Sequence, residues 1–141
     1  MQIFFQNENK NTGELFHEIE RACEGLIYIS ETDAPVLAVA GQPADAVTAN
    51  LILQQTGLAA DAPVEERDFV EFFGRLTAIR DWYGEAETAR AKKFLELQKL
   101  LEENLRELKV FRIGAIRLDI FAVGVDKDGC LMGVMTKAVE T

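Results

Sequence analysis

Hydrophobic positions in the first part of the chain predict one helix followed by two strands. Between Thr12 and Gly25, apolar residues recur every three or four positions, so we expect a helix that Thr12 caps and that Gly25 ends. The run LIYIS that follows holds four apolar residues in succession, which is typical of a strand covered on both faces. After the polar turn ETDAP, the run VLAVA predicts a second strand.

A second helix is predicted in the next segment. The tripeptide GQP is expected to break the chain, and residues 44–55 then predict a helix with Pro43 near its start and Gly57 at its end. The stretch NLILQ within it would also fit a strand.

Two more helices are predicted before the last third of the chain. The segment APVEER begins extended, and Asp68 then caps a short helix with apolar residues on one side. The stretch TAIRDWYGEAE is an irregular connection to the longest helix, predicted over residues 85–108. Apolar residues recur along that helix at steps of three and four, which predicts one stripe packed on the protein's own sheet.

The last third of the chain predicts three strands, KVFRIG, AIRLDIFAVG and CLMGVMTKAV. The tetrapeptide DKDG joins the latter two, and its Asp-Gly ending favours a tight hairpin turn, so an antiparallel meander is expected. Asp126, Asp128 and Gly129 also resemble the start of a calcium loop. The glutamate that would complete such a loop is absent, because its position is Lys137, so the turn is preferred.

Together these elements predict an α+β fold, arranged as a three-layer α/β/α sandwich with a mixed, largely antiparallel sheet. With 141 residues, 48% of them hydrophobic, the chain can bury a core and is expected to form one domain over residues 1–141. No internal repeat or flexible linker interrupts it.

The charge balance bears on possible partners. The chain has 24 acidic and 15 basic residues, a formal net charge of −9, which would repel a phosphate backbone. Direct binding to nucleic acid is therefore not expected, whereas a basic protein partner would be attracted. Acidity that serves solubility alone is an equally good interpretation at this point.

The sequence predicts a cytoplasmic protein that is monomeric when free. The stretch MQIFFQNENKN lacks the pattern of a signal peptide, and no run approaches the ~20 apolar residues of a membrane helix. Cys23 and Cys130 lie far apart without a paired-cysteine motif, so both are expected to be reduced, buried, small apolar residues.

Familiar catalytic motifs are missing, which argues against the common enzyme classes. The sole histidine, His17, has no cysteine or serine in a nucleophile context nearby, and no nucleotide-binding loop or paired-cysteine metal site is present. Glu31 and Asp81 both lie in predicted loops and could converge as an acid/base pair. Asp81 could instead cap the helix that follows it.

Several stretches resemble the bacterial nuclease A inhibitor family over about residues 15–141. The most specific are LQQTG, DWY and the ending TKAVET, since no fold demands polar and aromatic identities at those positions. The others are GLIYISETDAP, DAPV, FFGRLTAIRDWYGEAETARAKKF and FRIGAIRLDIFAVG. The stretch VLAVAGQPADAV departs from the family, being less aromatic and less acidic than expected after Glu31.

The resemblance implies an α/β/α sandwich, without catalysis or a cofactor of its own, that blocks a sugar-non-specific DNA/RNA endonuclease. That enzyme is of the ββα-metal type and holds Mg²⁺ in its active site. By the same resemblance, Thr141, with a terminal carboxylate and a hydroxyl, would stand in for a phosphate oxygen at the partner's Mg²⁺. Glu31 would act on a metal-bound water, Asp81 would pair with an arginine, and Trp82 would lie against the rim of the cleft.

Two other functions stay open at this stage. The chain could be an interaction domain with the same fold and a different protein partner. It could also be an enzyme that uses Glu31 and Asp81, in which case the two carboxyl groups would lie ~5–9 Å apart in a concave pocket.

Overall fold

The computed structural model describes residues 10–141 of the chain. In that part, four helices span Lys10–Cys23 (α1), Ala49–Thr56 (α2), Phe69–Thr77 (α3) and Glu85–Asn104 (α4). Seven strands span Ile27–Ile29 (β1), Asp33–Pro35 (β2), Leu37–Pro43 (β3), Val64–Arg67 (β4), Arg106–Gly114 (β5), Arg117–Val125 (β6) and Cys130–Val139 (β7).

The strands form two antiparallel sheets. β1 and β2 make a two-stranded ribbon, and the other five are ordered β3-β7-β6-β5-β4. The predicted α+β class is confirmed, but the prediction of a mixed sheet is wrong for residues 10–141, where every pairing is antiparallel. Two helices, α3 and α4, separate β4 from β5, so the chain enters β5 from the end at which β4 stopped. A single helix would have returned it for a parallel pairing.

The larger sheet is covered by side chains on both faces. Successive residues of β6 alternate between two hydrophobic clusters, as the period-2 geometry of a strand requires. The first cluster takes Leu118, Ile120 and Ala122 together with residues of α1, α3 and α4. The second takes Phe121, Val123 and Val125 together with residues of α2. Helices therefore pack against both faces of this sheet.

The first predicted helix and the strand VLAVA are confirmed, with changes at their ends. α1 already includes Lys10, so Thr12 lies inside the helix and is not its cap. β3 continues through GQP, since Pro43 pairs with Cys130 after an irregularity in register. The prediction that LIYIS is a strand buried on both faces is wrong. Its central residues form β1, which pairs only with β2 and leaves Ile29 half exposed.

Caps determine where the next two helices begin. α2 starts at Ala49, later than predicted, because Thr48 is its N-cap and accepts a hydrogen bond from the Leu51 N–H at 3.2 Å. Its end at Gly57, which has φ 74°, is as predicted. α3 is also as predicted, since the Asp68 carboxylate accepts from the Glu71 N–H at 3.0 Å.

The longest helix ends earlier than its apolar stripe suggests. α4 stops at Asn104, and Leu108 belongs to β5. β5 pairs with β6 through a bulge in which Glu107 has φ 55°. The bulge lets Glu107 accept from the Val47 N–H at 3.4 Å and Lys109 donate to the Val47 carbonyl at 3.0 Å. Strand pairing and these hydrogen bonds therefore outweigh the helical spacing of the apolar residues, and the helix ends before Leu108.

The predicted meander and its hairpin turn are confirmed. β5, β6 and β7 are consecutive antiparallel neighbours. Asp126 is buried in the DKDG turn, where its Oδ1 accepts hydrogen bonds from the Asp128 and Cys130 N–H groups. The predicted free and buried state of Cys23 and Cys130 is confirmed as well. Burial raises the pKa of Cys23 to about 12, which keeps this thiol unreactive.

The close approach of β6 and β7 gives a test of the fold. A Cβ on Gly133 would lie 2.1 Å from the Ala122 carbonyl oxygen, and neither central strand can move aside. We expect Gly133→Ala to lower the free energy of unfolding by about 3 kcal/mol or more in urea titrations. Gly74→Ala is the control, because Gly74 lies in α3 with open space around it. That change should stabilise by about 0.5–1 kcal/mol, and equal effects of the two changes would contradict the structure.

Candidate functional site

Residues 139–141, here called the tail, lie between two turns of the chain. On one side is the β1–β2 turn, where the Val139 N–H donates to Ser30 Oγ at 3.1 Å and the Glu31 N–H donates to the Val139 carbonyl at 3.2 Å. On the other side is the β5–β6 turn, where the Glu140 N–H donates to the Ile116 carbonyl at 2.9 Å. Hydrogen bonds from both sides therefore fix the direction of the tail beyond β7.

The last residue of the tail is bound by Glu31. The Thr141 N–H donates to Glu31 Oε2 at 2.5 Å, and the Thr141 hydroxyl donates to Glu31 Oε1 at 2.8 Å. We call this pair the Glu31–Thr141 clamp. Both residues are exposed. Each carboxylate oxygen accepts one bond from Thr141 and keeps capacity for a further partner.

The clamp favours the charged form of Glu31. The backbone N–H of Thr141, and after it the Thr141 hydroxyl, lower the pKa of Glu31 below its ordinary value. The carboxylate is therefore ionised at neutral pH. A general acid needs the opposite change in pKa, so this geometry suits an anionic ligand better than a proton donor.

An arginine beneath the tail holds its middle residue. Arg112 is mostly buried, and its guanidinium forms ion pairs with Glu140 and, at 3.3 Å from Nε to Oε1, with Glu65. Glu65 lies on the edge strand β4 and also approaches Arg67 Nε at 3.0 Å. The Nε–H groups of both arginines do not align with a hydrogen-bond acceptor, so their attraction to Glu65 is electrostatic. This network ties the tail to the far edge of the sheet.

Asp81 and Trp82 lie in the connection between α3 and α4, and both are exposed. The indole of Trp82 is 76% exposed and meets the Tyr83 ring edge-on at 4.7 Å between centroids. The prediction that Asp81 caps a helix is wrong, because Gly84 is the N-cap of α4 and no side chain bonds there. Within residues 10–141, the Asp81 carboxylate makes no hydrogen bond or ion pair.

The direction of α4 relates this connection to the clamp. The end of α4 is near Gly124, where an added Cβ would lie 3.0 Å from the Leu105 Cβ, and Leu97 lines a small cavity with Ile120. The helix α4, with twenty residues, and the strand β6, with nine, are both ~30 Å long. The start of α4 is therefore level with Arg117, which pairs with Val139. The α3–α4 connection and the clamp lie at the same end of the larger sheet.

The four predicted site residues thus fall into two groups. Glu31 and Thr141 are in direct contact, whereas no hydrogen bond or ion pair in the described part of the chain joins either of them to Asp81 or Trp82. Sequence reasoning missed Ser30, Ile116 and Arg112 as supports of the tail. One signal existed for Arg112, since a charged residue inside the apolar run KVFRIG requires a partner when the strand is buried.

The described residues have no metal-binding cluster of their own. No group of three or more His, Cys, Asp or Glu side chains in residues 10–141 could hold a metal ion. His17 is exposed on α1, where its Nδ1 lies 2.9 Å from Glu20 Oε1. None of the described helices is both long and apolar enough to cross a bilayer.

Comparison with known proteins identifies a family. The model of the family described as NuiA, nuclease A inhibitor-like protein, matches residues 13–141. The match includes both turns, the α3–α4 connection and the tail. A comparison with curated protein sequences gave no match.

The clamp predicts a lowered pKa that depends on Thr141. In an NMR titration of the side-chain carboxyl groups, Glu31 should titrate below 4.5. Thr141→Val removes the hydroxyl donor and should raise this pKa slightly. Thr141→Pro removes the N–H as well and should raise it further, because the N–H makes the larger contribution. Any stabilisation by the clamp is then fully present above pH 4.5 and is lost as pH falls through the lowered pKa.

An unchanged Glu31 pKa in Thr141→Pro would contradict the clamp. Chemical shifts elsewhere in the spectrum serve as the check that the variants keep the parental fold.

The Arg112 network predicts a loss of stability when its centre is removed. Arg112→Met keeps the apolar stem but leaves Glu140 without its cation and Glu65 with Arg67 alone. Both carboxylates can recover hydration because they are about half exposed. We expect a loss of about 1–2 kcal/mol in the free energy of unfolding. The control is Arg75→Met, which breaks an exposed pair 3.8 Å long. That control should change stability by less than about 0.5 kcal/mol, and similar losses in the two variants would refute the structural role of Arg112.

Proposed function

This chain belongs to the nuclease A inhibitor-like family, and we propose that it inhibits a nuclease by binding it as a protein partner. The observation that carries the proposal is the Glu31–Thr141 clamp within the matched residues. It presents an ionised carboxylate and a hydroxyl side by side at the protein surface. A nuclease active site is built to receive anionic phosphate, and these oxygens offer the same chemistry.

We propose that the partner is a Mg²⁺-dependent, sugar-non-specific endonuclease of the ββα-metal type. Carboxylate and hydroxyl oxygens are hard ligands of the kind that Mg²⁺ accepts. Thr141 would contact the metal of the partner, and Glu31 would act on a metal-bound water. The hydrogen bonds of the tail support this mechanism, because a segment that is already ordered loses less entropy on binding.

Asp81 and Trp82 are proposed as contacts on the flank of the same interface. Asp81 has no partner among residues 10–141, so its carboxylate is available for a charge-assisted pair with an arginine of the nuclease. Trp82 exposes a large amphipathic ring, the type of side chain most often found at interface hot spots. The position of the α3–α4 connection at the clamp's end of the sheet supports one continuous binding surface.

Charge is proposed to speed the encounter. The formal net charge of −9 would attract a nuclease whose cleft is positive for nucleic acid, while repelling the nucleic acid itself. We propose no catalytic activity for this chain, in line with its family and with the lowered pKa of Glu31.

We also infer the finer features of fold and state that the sequence suggests. Helices on both faces of the larger sheet support a three-layer α/β/α sandwich. We infer a single domain over residues 1–141, a protein that is monomeric when free, and a cytoplasmic location.

An inhibition assay tests the proposal. Plasmid digestion by a ββα-metal nuclease in Mg²⁺ should stop when the protein is added at about the concentration of the enzyme. Trp82→Ala should weaken inhibition by about 30-fold, equivalent to ~2 kcal/mol. Glu31→Ala and Thr141→Pro should each weaken it by at least about tenfold, since each removes a proposed contact to the metal site.

Glu103→Ala is the matched control for Glu31→Ala. Glu103 is an exposed carboxylate near the end of α4, at the opposite end of the sheet from the clamp. Its removal should change the inhibition constant by less than about twofold, because a remote surface charge contributes little. Full digestion by the nuclease of the source organism at excess inhibitor would contradict the proposal. Capture of a partner that is not a nuclease would favour an interaction domain instead.

A further inference from the structure

Two isoleucines flank the tail on opposite sides, and neither packs into the core. Ile29 is 50% exposed at the end of β1, next to Ser30 and Glu31. Ile116 is 56% exposed in the β5–β6 turn, where its carbonyl binds the Glu140 N–H. We infer that Ile29 and Ile116 form an apolar border of the Glu31–Thr141 clamp that packs against the rim of the partner's cleft. This inference rests on the proposed inhibition of a nuclease.

The distribution of exposed apolar side chains supports such a border. Six large hydrophobic residues are exposed in the described part of the chain: Ile29, Val70, Ile79, Trp82, Leu95 and Ile116. Four of the six lie at the end of β1 (Ile29), in the β5–β6 turn (Ile116) or in the α3–α4 connection (Ile79 and Trp82), all toward the clamp's end of the larger sheet. Single exposed apolar residues need no explanation, but a group around a charged centre is typical of an interaction surface.

The backbone holds both isoleucines in defined positions. The β5–β6 turn begins at Gly114, with φ 118°, whose N–H donates to the Pro63 carbonyl at 2.9 Å. A Cβ there would lie 2.3 Å from the Arg117 carbonyl oxygen, so the turn is as tight as glycine allows. On the other side, Tyr28 precedes Ile29 and stacks on Phe72 with 6.0 Å between ring centroids. Backbone segments held in this way lose little freedom when a partner binds them.

The apolar border would strengthen the charged interaction that the clamp makes with its partner. A single carboxylate that meets a cation in open water gains little, because water and salt screen the attraction. Apolar side chains that close around the contact exclude water and raise the strength of the central charged interaction. The occupant that fits is therefore a protein with a cationic cleft and an apolar lip. A bare phosphate-binding groove or free nucleic acid offers no such lip.

The test measures dissociation of the complex with the nuclease that the protein inhibits. Ile29→Ala and Ile116→Ala should each raise the dissociation rate by about tenfold or more, since interface changes act mainly on dissociation. Ile116→Thr keeps the branched shape but removes apolar contact, and it should weaken the complex similarly. Val70→Ala is the control, because Val70 is 58% exposed on α3 and lies outside the group. Its dissociation rate should stay within about twofold of the parent.

The dependence of binding on salt concentration distinguishes the contribution of the two isoleucines from that of Glu31. Between about 0.05 and about 0.5 M salt, the effect of Ile116→Ala should persist, whereas the effect of Glu31→Ala on association should shrink. If the parent inhibits its nuclease but both isoleucine variants behave like Val70→Ala, the inference is wrong and the proposed function stands. If the folded parent inhibits no ββα-metal nuclease, both are wrong.

Discussion

The position of β7 inside the larger sheet is the constraint on which the candidate site depends. β7 pairs with β3 on one side and with β6 on the other, and nearly all its residues are buried. A strand held on both sides cannot shift register without moving its whole apolar set to the wrong face. Its exit point is therefore fixed beside Arg117, and residues 139–141 must leave the sheet between the two turns that bind them.

Electrostatics then divide two carboxylates at this site, Glu140 of the tail and Glu31 of the β1–β2 turn, between two tasks. Glu140 faces Arg112 and is neutralised by it, so its charge stabilises the fold. Glu31 has no cation in the ion pairs of the described residues and is stabilised by N–H and O–H dipoles from Thr141. Dipoles lower the pKa without cancelling the charge, so Glu31 stays a full anion toward an approaching partner. Neighbouring glutamates thereby serve stability and binding separately.

Much of the fold could be predicted because its signals are local. The Asp68 cap and the DKDG turn depend on residues within four positions of one another, and both are as expected. The misread segments depend on distant pairing. LIYIS is apolar, yet its central residues pair only with β2 and lie outside the five-stranded sheet. Likewise, Leu108 continues the helical spacing of the apolar residues in α4, but it lies in β5, which pairs with β6. The local spacing of apolar residues does not determine which strands become neighbours in a sheet.

The same reasoning explains what sequence could and could not say of the site. Glu31 and Thr141 are 110 positions apart, so no spacing rule connects them. The resemblance to a family singled out both residues for the partner's metal site, but it did not predict the contact between them. Supports such as Ser30 and Ile116 carry no motif at all, because they act through a hydroxyl and a carbonyl that many residues could supply.

The departure from the family in VLAVAGQPADAV has a structural location that bears on partner choice. Its first part forms β3, whose central residues are buried in the two hydrophobic clusters and cannot meet a partner directly. Small residues there, such as Ala38 and Ala40, instead determine how closely helices approach the sheet. For residues 36–41 the change in composition is thus a change in core packing. The second part includes the exposed residues Gln42, Pro43 and Asp45, but Pro43 pairs with Cys130 at the start of β7, away from the clamp. The surface around the clamp is formed by the two turns beside the tail and by the α3–α4 connection, so a difference in target through that surface would arise there.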